Sequence, residues 1–184
     1  KLSLPIFNYH FIQIINKILK FFYINYSKIL IDTDKDIIKN LMQKPPKARW
    51  AIIYDLCSKV KHCGQERIDG CGCKQPDNYK IEGVTGIHAI WKATDDTEAQ
   101  NISMEAESVK EIFERISNED SKLMGFSENW CRPEWLICSV LPVPPPAVRP
   151  SIKQDNSQRM DDDLTHKLSD ILKFNQSLET KINN

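Results

Sequence analysis

Six cysteines are the residues best suited to chemistry in this chain, and four of them crowd into seventeen positions as Cys57-x5-Cys63-x7-Cys71-x-Cys73. Cys131 and Cys138 stand apart. Zinc wants four thiolate or imidazole ligands in a tetrahedron, usually delivered as close Cys pairs. The single-residue spacer of Cys71-x-Cys73 is an awkward pair for one ion, and Cys57 lies in an apolar run that suits a buried thiol. Spacing alone leaves a metal site and free structural cysteines equally open. Gly70 and Gly72, on either side of Cys71, favour the metal reading, because a thiolate knuckle needs a tight backbone turn. His62 adjoins Cys63 and is a spare ligand; His10, His88 and His166 have no Ser, Cys or Asp relay and read as packing or surface residues.

A second group is cationic. Arg149, Lys153, Arg159 and Lys167 lie along a polar stretch after a proline run. Such a row either meets phosphates or forms an ordinary solvated loop. Asp161, Asp162 and Asp163 crowd the start of a helix, where carboxylates complement the helix dipole; that reading is preferred over a magnesium cluster. No Gly-rich phosphate loop, nucleophile elbow or HExxH motif occurs.

The elements that must position these groups follow from patterning. The chain has 184 residues, 25 Lys+Arg against 25 Asp+Glu, 41% hydrophobic and 27% charged residues, which excludes a disordered chain, a collagen and a cationic nucleic-acid arm. Six Cys are too few for a disulfide scaffold. The first forty residues hold ten Ile, but Asn8, His10, Gln13, Asn16, Lys17 and Lys20 interrupt any membrane span, and no small-residue cleavage site suggests a signal peptide. Phe11, Ile14, Ile15, Ile18, Leu19 and Phe22 predict an amphipathic helix that packs against protein.

A short helix is expected over 34–43, broken by Lys44-Pro45-Pro46-Lys47. Trp50–Leu56 could be helix or strand, 64–78 loop, Ile87–Trp91 strand, and 93–103 a surface connection. Ser103 reads as the N-cap of a helix with Val109, Ile112, Phe113 and Ile116 on one apolar face. Trp135–Val140 reads as a buried strand entering a decapeptide, 141–150, with five prolines that force an extended path. Residues 151–162 read as a polar loop. Leu164, Leu168, Ile171, Asn175, Leu178 and Ile182 repeat at heptad-like spacing, a long helix docked on a partner surface.

At residues 131–172 the sequence resembles the N-terminal clamp region of the largest subunit of eukaryotic RNA polymerase II. The resemblance rests on Arg-Pro-Glu-Trp at 132–135, LPVPPPAVRPS at 141–151 and DDLTHKLSDI at 162–171. ARWAIIYDLCSKVKHC at 48–63, GCGCKQP at 70–76, KEIFERISNEDSKLMGF at 110–126 and SKILID at 27–32 extend it over most of the chain. It implies an α+β fold: a helix-rich clamp core and clamp head with short strands. Residues 1–130 would be clamp head and part of the clamp core, and 131–184 the proline-rich segment, a lid-like loop at about 150–162 and a long terminal helix.

The family's clamp binds zinc through a Cys-x-x-Cys pair and two later cysteines. The later two match Cys63 and Cys71; the pair falls on Tyr23 and Tyr26, poor ligands beside thiolate. The loop between Cys63 and Cys71 is also shorter than in relatives. The resemblance therefore implies a zinc site weakened or lost, with Cys73, Cys57 and His62 as candidate substitutes and aromatic packing by Tyr23 and Tyr26 replacing the metal. It also implies that Arg149, Lys153 and Arg159 lie near the DNA template and the RNA–DNA hybrid, making backbone contacts. Further partners would be the other polymerase subunits, above all the second-largest, in a nucleus or nucleomorph and at no membrane. Nucleotidyl transfer would use magnesium held by an Asp-rich loop beyond this region, so these residues alone would not polymerise. A start at Lys1 fits a section of a larger subunit. The alternatives are a free-standing Cys-rich protein- or nucleic-acid-binding module and a degenerate, non-catalytic copy.

Overall fold

A computed structural model describes residues 1–22, 35–58, 61–62, 72–83, 86–94, 97–153 and 159–184. The chain forms two compact units. The larger runs from Ile6 to Cys138; the smaller joins Lys1–Pro5 to Ser139–Asn184. Helices and short antiparallel strands are both present, the α+β class expected.

The larger unit is organised by helix α1 (Ile12–Phe22), close to its expected span. Ile15, Ile18 and Leu19 have no exposed surface and Ile12 almost none, so the 3.6-residue period sets the inward face. Phe11 and Ile14 stand partly exposed, off that stripe. Helices α2 (Lys35–Met42) and α3 (Pro46–Ser58) follow. Pro46 opens α3 at the first helical position, where its missing N–H costs nothing, so the Pro-Pro pair both stops one helix and starts the next. Trp50–Leu56, ambiguous by pattern, is thereby helical.

Strands β2 (Asn78–Glu82), β3 (Gly86–Trp91) and β4 (Gln100–Met104) form an antiparallel meander, with β1 (Ile6–Phe7) and β5 (Ile137–Cys138) a separate pair. Tyr79, Ile87 and Ala89 point inward, and β2 lies on α1. Two expectations are corrected here. Residues 100–103 are not a surface connection but the start of β4, and Ser103 is not a helix cap: it pairs with His88 in the ladder. The helix α4 (Ala106–Glu114) begins after Glu105, whose side chain makes no cap bond. The alternation Asn101-Ile102-Ser103-Met104 carried a strand signal that an acidic neighbourhood obscured. The apolar face of α4 is as expected, with Val109 and Phe113 fully buried, Ile116 nearly so and Ile112 packed against the same core.

Helix α5 (Asn118–Leu123) is capped by Ser117, whose hydroxyl accepts the Asp120 N–H at 3.1 Å. The chain then turns at Gly125, φ +93°, where Trp50 and Phe126 meet edge to face at 5.6 Å. Trp135–Val140 is also corrected: Pro133–Leu136 is a 3-10 turn and only Ile137–Cys138 is strand. Leu136 and Ile137 are buried, whereas Trp135 and Val140 are exposed. The turn is held by Arg132, which bonds the Glu134 carboxylate, the Asn118 amide and, at 3.1 Å, the Ile116 carbonyl.

In the smaller unit, Leu2 N–H donates to Ser139 O at 3.0 Å. Residues 141–145 form neither helix nor strand, Pro145 is extended, and Pro146–Val148 forms a 3-10 turn inside the proline run. Helix α6 (Asp163–Asn183) is capped by Asp162, whose carboxylate accepts the Leu164 N–H at 2.7 Å. Asn175, at a core slot of the heptad pattern, finds its partner within the chain: its side-chain oxygen accepts Ser3 N–H at 2.7 Å and its carbonyl accepts the Ser3 hydroxyl at 3.1 Å.

A Cβ at Gly125 would lie 2.7 Å from the Pro46 Cβ, in a backbone region that favours glycine. Gly125→Ala should cost about 2–3 kcal/mol in urea unfolding. Arg132→Ala, which leaves the largely buried Glu134 without its cation, should cost a similar amount, about 2–4 kcal/mol.

Candidate nucleic-acid interface and cysteine cluster

Residues 151–162, expected as loop, contain a short antiparallel hairpin. Strand β6 (Ile152–Lys153) pairs with β7 (Arg159–Met160), with Ile152 opposite Met160 and Lys153 opposite Arg159. Directly opposed residues share a face, so the two cations project together and the two apolar residues share the other face. All four are exposed. Opposed like charges repel, by under about 1 kcal/mol in water. An anion between them would turn that cost into attraction. No pattern in the sequence announced this register, because two strands of two residues carry too little periodicity.

Arg149 sits differently from the other two. Its Nε donates to Pro144 O at 3.0 Å and its Nη1 to the Thr165 hydroxyl at 3.1 Å, and it is half-buried. A cavity of about 370 Å³ adjoins it, walled by Leu2, Leu141, Val143, Leu168 and Leu172. Of the acidic trio, Asp162 is occupied as the helix cap and Asp163 lies in the first turn, the dipole role expected.

The cysteine cluster divides. Cys63, Cys71, Tyr23 and Tyr26 lie outside the described residues. Cys57, on α3, packs with Leu41, Ile53 and Leu123. Burial pushes its thiol up from 9.0 to about 12, so it stays protonated at neutral pH. Cys73 is exposed, on a segment fastened from three sides. His62 and Lys74 form an antiparallel bridge, with Gln75 N–H donating to Lys61 O at 2.8 Å. The Trp91 indole donates to Lys74 O at 3.1 Å. Lys92 N–H donates to the Asp77 carboxylate at 2.8 Å. That bond, with Lys74 beside it at 3.3 Å, holds the Asp77 carboxyl below the usual range. The bridge thus pairs His62 with Lys74, the residue after Cys73, while Cys57 belongs to an apolar core. Among the described residues no three His, Cys, Asp or Glu side chains converge as a metal site would require, so these residues do not by themselves fit zinc. Among them, too, no helix is long and apolar enough to cross a membrane.

Comparison with known proteins adds two findings. The family model described as RNA polymerase Rpb1, domain 1, matches residues 1–184. The sequence is 36% identical over 189 residues to the DNA-directed RNA polymerase II subunit RPB1 of Euplotoides octocarinatus; the match takes in 97% of this chain and 39% of that protein. The chain therefore spans about two-fifths of the length of this relative.

Two measurements check the cysteine assignment. In native protein, iodoacetamide should modify Cys73 quickly and Cys57 only after denaturation, read by peptide mass spectrometry. The unfolded Cys57 thiol ionises near 9.0 and the folded one near 12. Between those values the unfolded chain has lost a proton that the folded chain keeps, so stability should fall as pH rises from 9 towards 12. Cys57→Ala should flatten that part of the profile.

Proposed function

Because the chain belongs to the RNA polymerase Rpb1 domain 1 family, we propose that it serves as the clamp region of the largest subunit of DNA-directed RNA polymerase II, holding DNA and the RNA–DNA hybrid during transcription. The family match over residues 1–184 carries this reading. Its partners are the template, the hybrid and the other polymerase subunits, especially the second-largest, in a nuclear enzyme. Nucleotidyl transfer belongs to the assembled polymerase. Its magnesium chemistry would stabilise charge on the transferring phosphoryl group, and residues of this chain are not assigned to that step.

The hairpin supports a specific role as the lid. Lys153 and Arg159, opposed on one exposed face, present paired charge to a sugar–phosphate backbone. Backbone contacts carry no sequence information, as transcription of any template requires. In an assembled polymerase, deletion of residues 151–161 should impair separation of RNA from template and leave single-nucleotide addition largely intact. Unchanged transcript release would overturn the lid role. Lys153→Gln and Arg159→Gln should each weaken binding to an RNA–DNA hybrid and each reduce the slope of log K against log salt by about one.

The family zinc site is weakened or lost in this reading. Tyr23 and Tyr26 stand at the positions of one cysteine pair, and Cys57 is held as a neutral thiol in an apolar cluster. Cys63 and Cys71 remain as the matching half, with His62 and Cys73 the accessible neighbours. Purified chain should hold well under one zinc per molecule by elemental analysis after dialysis. One tightly held zinc would contradict this.

A further inference from the structure

The proline run creates a local problem of hydrogen bonding. Pro142, Pro144, Pro145 and Pro146 donate no N–H, so backbone ladder contacts cannot fasten this segment. The chain leaves it directly into the hairpin and returns directly into α6. Two strands of two residues form a hairpin that is marginal by itself. Something must hold its two ends.

Arg149 is placed to do so. Its Nε reaches back to Pro144 O at 3.0 Å and its Nη1 reaches forward to Thr165 Oγ1 at 3.1 Å. Pro144 precedes the hairpin and Thr165 follows it. One guanidinium thus ties the proline segment that precedes the hairpin to the first turn of α6. The planar fork of Arg suits two divergent acceptors; a Lys ammonium, a point charge on a flexible stem, does not hold that geometry. Asp162 supports the same root by capping α6 through Leu164 N–H, and Thr165 N–H donates to Asp162 O at 2.8 Å. Lys153 and Arg159 differ from Arg149: both are exposed and face each other across the ladder.

We propose that Arg149 is a positioning residue that clamps the root of the paired strands β6 and β7, and that it acts on nucleic acid only through Lys153 and Arg159. The nucleic-acid part of this statement rests on the lid reading above; the clamp itself does not.

Limited trypsin digestion of the full 184-residue chain tests the clamp, because Lys153 and Arg159 are the cut sites within the hairpin strands and the Arg149–Pro150 bond resists trypsin. Loss of a charge-assisted bond opens the root more often, and cleavage tracks the open population. Arg149→Gln and Arg149→Lys should both speed cleavage after Lys153, on the order of tenfold. Thr165→Val, which removes one acceptor and no charge, should speed it less. Affinity for a fluorescein-labelled RNA–DNA hybrid should fall in the same order. Three results overturn the clamp: cleavage at the wild-type rate in both Arg149 variants, wild-type behaviour of Arg149→Lys alone, or hybrid binding weakened by Arg149→Gln with cleavage unchanged. Faster cleavage in the Arg149 variants, combined with unaltered hybrid binding by Lys153→Gln and Arg159→Gln, would support the clamp and defeat the lid reading.

Discussion

Burial of one face of α1 is the constraint on which the larger unit depends. Ile15, Ile18 and Leu19 are wholly enclosed, and segments distant in sequence converge on them: Tyr79, Ile87 and Ala89 from the sheet, Val109 and Phe113 from α4, and Leu136 and Ile137 from the last turn and strand. Each full burial of such a side chain contributes about 1.5–3 kcal/mol, so the enclosed face of this helix outweighs any polar contact in the unit. Asn16 marks its edge, donating to Tyr79 O at 3.3 Å. The sheet, α3 and α4 are arranged by what α1 must hide.

The smaller unit is held by a different kind of force. Among the described residues it has no buried side chain, and α6 leaves Ile171, Leu172, Phe174 and Ile182 exposed. Its order comes from directional bonds: Leu2 to Ser139, Ser3 to Asn175, and Arg149 to Pro144 and Thr165. Such a framework tolerates surface motion better than a packed core does. It also explains why polar side chains such as Asn175 and Arg149 occupy places that an apolar core would give to Leu or Ile.

The two candidate chemistries separate along the same line. Cys57 and Cys73 look alike in a spacing pattern, but one lies among Leu41, Ile53 and Leu123 with its thiol held protonated, and the other is exposed beside a pinned bridge. Arg149 and Arg159 look alike in a charge pattern, but one is bonded at the root of the hairpin and the other is presented at its face. In both pairs residue type was uninformative and environment was decisive.

Periodicity along one element was enough to identify α1, the buried face of α4 and the acidic start of α6, because helix burial and dipole pairing depend on residues within a turn of one another. Local sequence likewise carried the proline break at 45–46, and family motifs such as LPVPPPAVRPS carried the functional reading. The same local view misassigned Ser103 and Trp135, whose states depend on partners far along the chain: His88 for the strand, and Asn118 and Ile116 for the turn held by Arg132. The facing of Lys153 with Arg159, the tie from Arg149 to Thr165 and the docking of Ser3 on Asn175 were decided by tertiary structure alone. Each is a contact between residues separated by a turn or by nearly the whole chain, and no linear period encodes such a distance.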